Sequence, residues 1–238
     1  MKRATRIAAL ILPALLLAAG ALRAQHIPSP YTFLPQKQGL GLYAGYLLTD
    51  PTVSVDSVQT ADFGPQSAPL IGLDYNLRVS SALVLRAGVA VSPSERKVYR
   101  AGVTSDSNTV SPVYSGSKAS MPLAIVDVGM RLNLTGSRTY RGLAPWVAAG
   151  GGVVSWLKKT SPLEADVPAA ERFTFGPAFA LSLQAGTDWY PTPRLSLGVH
   201  AADYLWKLKV PRGFVGGVTK SSEWTNNLGV TAGAAIHF

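Results

Sequence analysis

Apolar residues recur at every second position in several segments after Gln38. In the last segment Leu228, Val230 and Ile236 share one face, with small or polar residues between them. Successive side chains of a β-strand point to opposite faces, so this period of two predicts a strand with one apolar face. The chain is therefore predicted to be all-β.

Eight segments carry this alternation, six of them clearly and two weakly. The clear segments are 68–79, 83–91, 126–134, 179–189, 195–202 and 227–238. The weak segments are 38–48 and 141–156, and the second contains Gly150-Gly151-Gly152, which favours bending or close packing. We expect about eight strands, an even number that leaves both ends of an up-and-down barrel on one side.

The connections between these segments alternate in length. Short turns are expected at 78–82, 135–140 and 191–194, and long loops at 49–67, 93–120, 157–174 and 207–224. Outer-membrane barrels have short periplasmic turns and longer extracellular loops. The sequence thus predicts a closed antiparallel up-and-down transmembrane β-barrel.

Alternation alone does not say which face is inside, because a soluble lipid-carrying barrel would bury the apolar rows. The polar rows here are rich in Gly, Ala, Ser and Asn, and an eight-stranded barrel is only wide enough to be filled by its own side chains. We therefore expect the apolar rows, with Leu83 and Leu132, to face lipid. Arg86 and Arg131 are expected to face the lumen.

Several predicted lumen residues are charged or titratable, and lone charges there would be costly unless paired. The candidate lumen network comprises Asp74, Arg78, Arg86, Asp127, Arg131, Asp188 and His200. We expect the aspartates to pair with the arginines in a filled, non-conducting lumen, and a selectivity ring is the alternative.

Large aromatic residues near the predicted strand ends suggest membrane-interface belts. Trp146 and Trp189 are expected on the short-turn side. Tyr46, Trp156, Tyr204 and Trp206 are expected on the loop side. Ordinary core aromatics are the alternative interpretation.

The first 24 residues have the features of a cleaved signal peptide. Basic residues precede an apolar run that is shorter than the roughly 20 residues needed to span a membrane, Pro13 interrupts the run, and Ala24 ends the segment. We expect residues 1–24 to be removed, 25–37 to form a periplasmic N-terminal segment and 38–238 to form the barrel. An uncleaved membrane helix is the alternative.

The net charge and the absence of cysteine exclude several kinds of site and membrane anchor. Residues 1–24 contain four basic residues and no acid, so the net charge of +9 falls by four to +5 without them. The chain has no cysteine, which excludes a disulfide, a thiolate metal site and a lipidated cysteine. The basic residues in the predicted long loops are interspersed with acids, which favours a solvated surface over contact with lipopolysaccharide phosphates.

The sequence offers little for catalysis. Beyond residue 24 the histidines are His26, His200 and His237, and Ala202 stands where barrel deacylases have a serine, two positions after His200. No phosphate-binding glycine motif and no metal-ligand spacing occurs. We expect no catalytic residue, no cofactor, no metal and no nucleic-acid partner.

The export signal, the turn Pro191-Thr192-Pro193-Arg194 and the closing run Gly229–Phe238 resemble the small outer-membrane β-barrel proteins of the outer-membrane protein A and protein X type. This resemblance covers residues 38–238. It implies residence in the outer membrane among its lipids and lipopolysaccharide. It also implies that Phe238 belongs to the signal read by the barrel-assembly machinery.

Four functions remain open on this basis. The first is a non-enzymatic barrel that contributes to envelope structure or to surface interaction through its loops. The second is a narrow channel for small solutes, the third is a lipid A modifying enzyme, and the last is a secreted soluble lipid carrier.

Overall fold

Eight antiparallel strands pair side by side and close into a ring in the computed structural model. The structure describes residues 29–55, 60–103, 110–158, 161–214 and 222–238. These residues form fourteen strands, of which eight make up the ring and six belong to the connections. The strands are β1 (Tyr31–Phe33), β2 (Gln38–Thr49), β3 (Thr52–Ser54), β4 (Thr60–Asp62), β5 (Ala68–Arg78), β6 (Leu83–Ser92), β7 (Glu95–Val103), β8 (Val110–Ser120), β9 (Leu123–Asn133), β10 (Arg138–Tyr140), β11 (Leu143–Trp156), β12 (Ala178–Thr192), β13 (Leu195–Lys209) and β14 (Ser222–His237). Two short 3₁₀ helices span Pro162–Glu164 and Arg212–Phe214.

The ring runs β2-β5-β6-β9-β11-β12-β13-β14 and returns to β2. Every neighbouring pair is antiparallel, including the closing pair, in which Ala232 of β14 stands opposite Ala44 of β2. All eight predicted strands are present, so the predicted barrel is confirmed. Closure leaves no unpaired sheet edge, which is what allows strands to cross a bilayer.

The N- and C-terminal ends of the ring meet at the same end as the short turns. Gln38 and Phe238 exchange backbone hydrogen bonds of 3.0 and 2.9 Å. At this turn side, Arg141 and Gly142 both have positive φ angles, 51° and 82°, and connect β10 to β11. A two-residue hairpin loop with two positive φ values matches the twist of its flanking strands.

The long connections contain more regular structure than the sequence predicted. The segment 49–67 includes the β3–β4 hairpin, and 93–120 is mostly the β7–β8 hairpin. β13 and β14 also continue into the predicted loop 207–224, where Lys209 pairs with Ser222. These backbones leave the membrane but still pair with each other, which their Pro- and Ser-rich sequence does not reveal.

The two faces of the barrel wall are sorted as predicted. Leu83 and Leu132 are 39% and 42% exposed on the outside, whereas Arg86 and Arg131 are 3% and 7% exposed inside. The outward apolar rows continue around the ring, which is the surface required against hydrocarbon chains. In the described part of the chain, no helix has the length and apolarity to span a bilayer.

Glycines let adjacent strands approach closely on the inner face. A Cβ added to Gly150 of β11 would lie 2.6 Å from the Val128 carbonyl oxygen and 2.9 Å from the Gly129 Cα. A real side chain does not fit there, so Gly150 is required for β11 to pack against β9. The close packing expected of the glycine run therefore occurs at Gly150, against β9.

The described residues from Tyr31 onward form one unit. The predicted signal peptide, residues 1–24, and residues 25–28 lie outside the described residues. β1 pairs with β10, where Tyr31 stands opposite Tyr140, on the side of the ring away from β2. Residues 34–37 therefore cross the turn-side opening of the barrel.

Candidate functional site

An ion-pair network lies across the middle of the lumen. The Arg86 Nη1 on β6 lies 2.8 Å from the Asp127 Oδ2 on β9, and its Nε lies 3.6 Å from the Asp74 Oδ2 on β5. The Gln184 amide of β12 donates to the same Asp127 oxygen at 3.1 Å. Four strands are thus tied together through one buried guanidinium and its partners.

A second ion pair lies nearer the turn side. The Arg131 Nη2 lies 2.5 Å from the Asp188 Oδ2, and its Nε donates to the Asn133 Oδ1 at 2.7 Å. The guanidinium carbon also lies 4.5 Å from the centre of the Trp146 ring. A cation over an indole face is electrostatically favourable, so Arg131 is held on three sides.

Arg78 and His200 also lie in the lumen but without a carboxylate partner. The Arg78 Nη1 donates to the Leu34 carbonyl oxygen at 2.5 Å, and no carboxylate among the described residues lies within 4.0 Å of it. The expected pairing of Arg78 with an aspartate is therefore wrong. Arg78 is the last residue of β5, and the segment 34–37 that crosses the opening supplies its hydrogen-bond acceptor. His200 hydrogen-bonds the Thr231 hydroxyl at 2.7 Å.

The loop-side mouth is filled by an apolar cap. Its side chains come both from the long connections and from the inner face of the strands. The cap comprises Val53, Val55, Phe63, Phe173, Phe175 and Phe214 from the connections, with Trp156, Tyr204, Trp206 and Leu208 from the strands. The Phe63 and Phe214 ring centres are 5.3 Å apart, and those of Phe175 and Trp206 are 6.4 Å apart.

Polar contacts hold the long connections over this cap. Arg96 of β7 forms a buried ion pair with Glu164, and the Arg96 guanidinium lies 5.4 Å from the Trp156 ring centre. Lys97 donates to Asp62 at 2.6 Å, which raises the pKa of the Lys97 ammonium. These two contacts therefore connect the β7–β8 hairpin to the β3–β4 hairpin and to the connection after β11.

Four of the six residues expected in the interface belts point inward instead. Trp146 is 4% exposed and Trp206 is fully buried, and Trp156 and Tyr204 are buried as well. Their positions along the strand have the same parity as the lumen residues, and a shift of one residue moves a side chain to the opposite face. Tyr46 and Trp189, at 44% and 48% exposed, lie on the outside.

Below the ion pairs, a polar cavity opens towards the turn side. It encloses about 700 Å³, part of it open to solvent, and its lining includes Lys37, Arg78, Asp74, Tyr190 and His237. One wall is formed largely by glycines of β2, β13 and β14. The lumen thus has an open cavity on the turn side and a packed apolar half on the loop side.

One polar pair in this cavity has no signal in the sequence. The Ser196 Oγ and the His237 Nε2 lie 2.8 Å apart on the adjacent strands β13 and β14. The two residues are 41 positions apart in the chain, and only the strand register brings them together. Ser196 is 3% exposed, and both side chains line the cavity.

No group of three or more His, Cys, Asp or Glu side chains in the described ranges has the geometry to hold a metal ion. The carboxylates of the lumen are each next to an arginine or an amide. The Oδ2 of Asp74, of Asp127 and of Asp188 each accepts from at least one of these groups.

Comparison with known proteins identifies the fold. No protein-family model matches the sequence, and no curated protein sequence matches it. Among solved structures, the outer membrane protein OprG from Pseudomonas aeruginosa is similar over 85% of this chain and 97% of its own, with 12% identity and a TM-score of 0.52.

Two further similar structures have lower TM-scores. Neisserial surface protein A is 13% identical over 84% of this chain and 97% of its own, with a TM-score of 0.45. The N-terminal β-barrel domain of Pseudomonas aeruginosa OprF is 12% identical over 85% of this chain and 98% of its own, with a TM-score of 0.42. Together with the closed ring and its outward apolar rows, the likeness to OprG confirms the predicted resemblance: the chain has the fold of the small eight-stranded β-barrels of the outer membrane.

Proposed function

We propose that this protein is a sealed, non-enzymatic outer-membrane barrel. Its long connections, which ion pairs hold together, form a rigid surface for interaction. The observation that carries the proposal is the apolar cap. Side chains from three long connections fill the loop-side mouth, which a conducting pore would keep open and wet. An apolar constriction blocks ions because water leaves it.

The ion pairs in the middle of the lumen support the same proposal. An ion moving through the lumen would have to pass between Arg86, Asp74 and Asp127, where the guanidinium contacts both carboxylates, at 2.8 Å to Asp127 and 3.6 Å to Asp74. It would then meet the dry cap. Two barriers of different chemistry in series favour a silent barrel.

The loop side is suited to display. The β7–β8 hairpin extends beyond the ring, and Arg96 and Lys97 connect it to the neighbouring connections. A surface that is already ordered loses little conformational entropy when a partner binds. An envelope-supporting role would use the same rigidity.

A narrow channel is the second candidate, and the turn-side cavity favours it. Planar-bilayer recordings separate the two. We expect the purified barrel to be silent, with a general porin as the positive control in the same bilayers. A combined Phe63→Ala, Phe173→Ala and Phe214→Ala variant should give conductance if the cap is the barrier. Stepwise currents from the wild-type barrel would overturn the proposal.

The absence of enzymatic activity is also part of the proposal. In the described part of the chain no carboxylate lies within 4.0 Å of a His237 ring nitrogen, so the Ser196–His237 pair lacks the third group that orients a catalytic histidine. Lipid A incubated with the folded barrel should keep its mass spectrum unchanged. Loss of an acyl chain or gain of a new group would identify an enzyme instead.

A further inference from the structure

Two cations stand opposite each other where the turn-side cavity opens. The Arg78 amide donates to the Lys37 carbonyl oxygen at 2.7 Å, which continues the register that pairs Gln38 with Leu77. The side chains of Lys37 and Arg78 both line the cavity, and Arg131 is close enough to Arg78 for the two cations to repel each other. Like charges directly opposite on neighbouring strands are destabilising, so an anion between them would be favourable.

The described part of the chain supplies no such anion. No carboxylate in the described ranges lies within 4.0 Å of the Lys37 ammonium or the Arg78 guanidinium. Outside those ranges, residues 1–28 contain no acid, and Asp56 and Asp106 belong by sequence to the β3–β4 and β7–β8 hairpins of the loop side. The turn-side mouth therefore offers positive charge to a ligand.

Hydrogen-bonding groups in the same cavity are also unsatisfied. The Arg78 Nη1 donates to the Leu34 carbonyl oxygen, but its Nε is buried and has no partner among the described residues. Asn76, two residues earlier on the same face of β5, donates to the Asp74 Oδ2 at 2.8 Å, while its own Oδ1 is buried without a partner. Buried polar groups are normally paired, so a cationic donor and a neutral acceptor both await a ligand.

This mixture of groups defines the ligand chemistry. The Trp146 Nε1, a donor, and the Gln36 Oε1, an acceptor, belong to residues of the same lining and are likewise without partners in the described ranges. A ligand that satisfies such a lining has negative charge, acceptor oxygens and at least one hydroxyl donor. Hydrogen phosphate has all three, whereas sulfate at neutral pH has no donor.

The cavity ends inside the barrel. Its inner end is the contact of Arg86 with Asp74 and Asp127, beyond which the apolar cap fills the lumen, and residues 34–37 cross its opening. A cavity that opens at one end binds a small solute without passing it on. This shape favours a compact ion over a long or branched ligand.

We propose that the turn-side cavity binds a small protonated oxyanion of the hydrogen phosphate type, with Lys37 and Arg78 on its charged oxygens and the Asn76 Oδ1 accepting from its hydroxyl. The site goes beyond the sealed-barrel function and does not depend on it. A silent barrel that binds no phosphate would refute only the site, and a conducting barrel that binds phosphate would refute only the seal.

Isothermal titration calorimetry of the folded barrel in a zwitterionic detergent, at neutral pH, tests the ligand class. We expect inorganic phosphate to bind roughly tenfold or more tightly than sulfate, because a site with an unpaired acceptor rejects an analogue that lacks the donor. A parallel titration with glycerol 3-phosphate shows whether free or esterified phosphate is preferred, and either preference over sulfate supports the site. Equal affinity for phosphate and sulfate, or no binding of either phosphate, would overturn the proposal.

Matched charge variants test the two cations. The Lys37→Gln, Arg78→Gln variant should bind phosphate roughly tenfold more weakly or worse, because hydrogen bonds to charged groups are the strong ones. The Lys207→Gln, Lys209→Gln variant loses the same charge from exposed positions on β13 near the loop side and should bind as the wild type does. Heat-dependent gel mobility checks folding, and Lys37→Gln alone, at an exposed position, should still weaken binding if the double variant does not fold. Equal weakening by the loop-side variant would contradict the site.

Asn76→Leu gives a readout that a structural role would not. This variant removes the acceptor and leaves both cations in place. We expect phosphate to lose its advantage over sulfate, while the affinity for sulfate stays the same. Equal weakening of both ions, or a retained preference for phosphate, would overturn the proposal.

Discussion

The Arg96 guanidinium and the Glu164 carboxylate form a buried ion pair that connects β7 to the connection after β11. The guanidinium carbon lies 5.4 Å from the Trp156 ring centre and 5.6 Å from that of Phe173. This pair therefore holds the segment that brings Phe173 and Phe175 into the apolar cap. It stabilises the sealed state of the loop side.

Replacing Glu164 by Gln should release that segment. Removing one partner of a buried ion pair costs about 3–5 kcal/mol, because the other charge stays buried. We expect trypsin to cleave near Arg172 in Glu164→Gln but not in the wild type, while the heat-dependent gel mobility of the barrel is unchanged. The double variant Arg96→Met, Glu164→Leu should regain resistance, and equal resistance of the single variant would contradict the role of the pair.

The lumen network should contribute strongly to stability. Asp127 accepts from Arg86 and Gln184, so Asp127→Asn leaves Arg86 with only the longer contact to Asp74. We expect a loss of about 3 kcal/mol, measured by urea unfolding in detergent micelles. Asp166→Asn, on the exposed loop surface, is the matched control and should change stability by less than about 0.5 kcal/mol.

The glycines of β11 should differ sharply in their tolerance of a side chain. In Gly150→Val, the new Cβ would meet the backbone of β9, so the barrel should fail to close and should lose its heat-dependent gel mobility. In Gly151→Val, the nearest atom is the Phe179 ring at 3.3 Å on the lipid-facing side, and this ring can move. A folded Gly150→Val barrel would show that the close approach of β9 and β11 is not required.

The two strand-end tryptophans should report opposite faces of the wall. Trp206→Ala removes a fully buried ring from the cap and should cost about 3–5 kcal/mol, whereas Trp189→Ala should cost much less because that ring contacts lipid. Thermal unfolding in the same detergent compares the two. Similar losses in both variants would place Trp206 in the lipid and contradict its inward orientation.

The pattern of apolar and polar positions determined the strand number, the strand positions and which residues share a face of the wall, and the small residues of the polar rows indicated which face is inside. This is because period two is a property of a single strand, which needs no knowledge of its neighbours. The same pattern also holds information that the belt prediction ignored. Tyr204 and Trp206 share the parity of His200, so the alternation places them on the same face as this predicted lumen residue.

Only the tertiary structure decided which charges pair and what closes the barrel. Arg86 meets Asp127 because β6 and β9 are neighbours in the ring, and Ser196 meets His237 because β13 and β14 have a particular register. The apolar cap joins side chains from connections far apart in sequence, whose Pro- and Ser-rich composition resembles that of solvated loops. Such contacts depend on where the strand ends bring the connections in space, and a local sequence pattern carries no information about that.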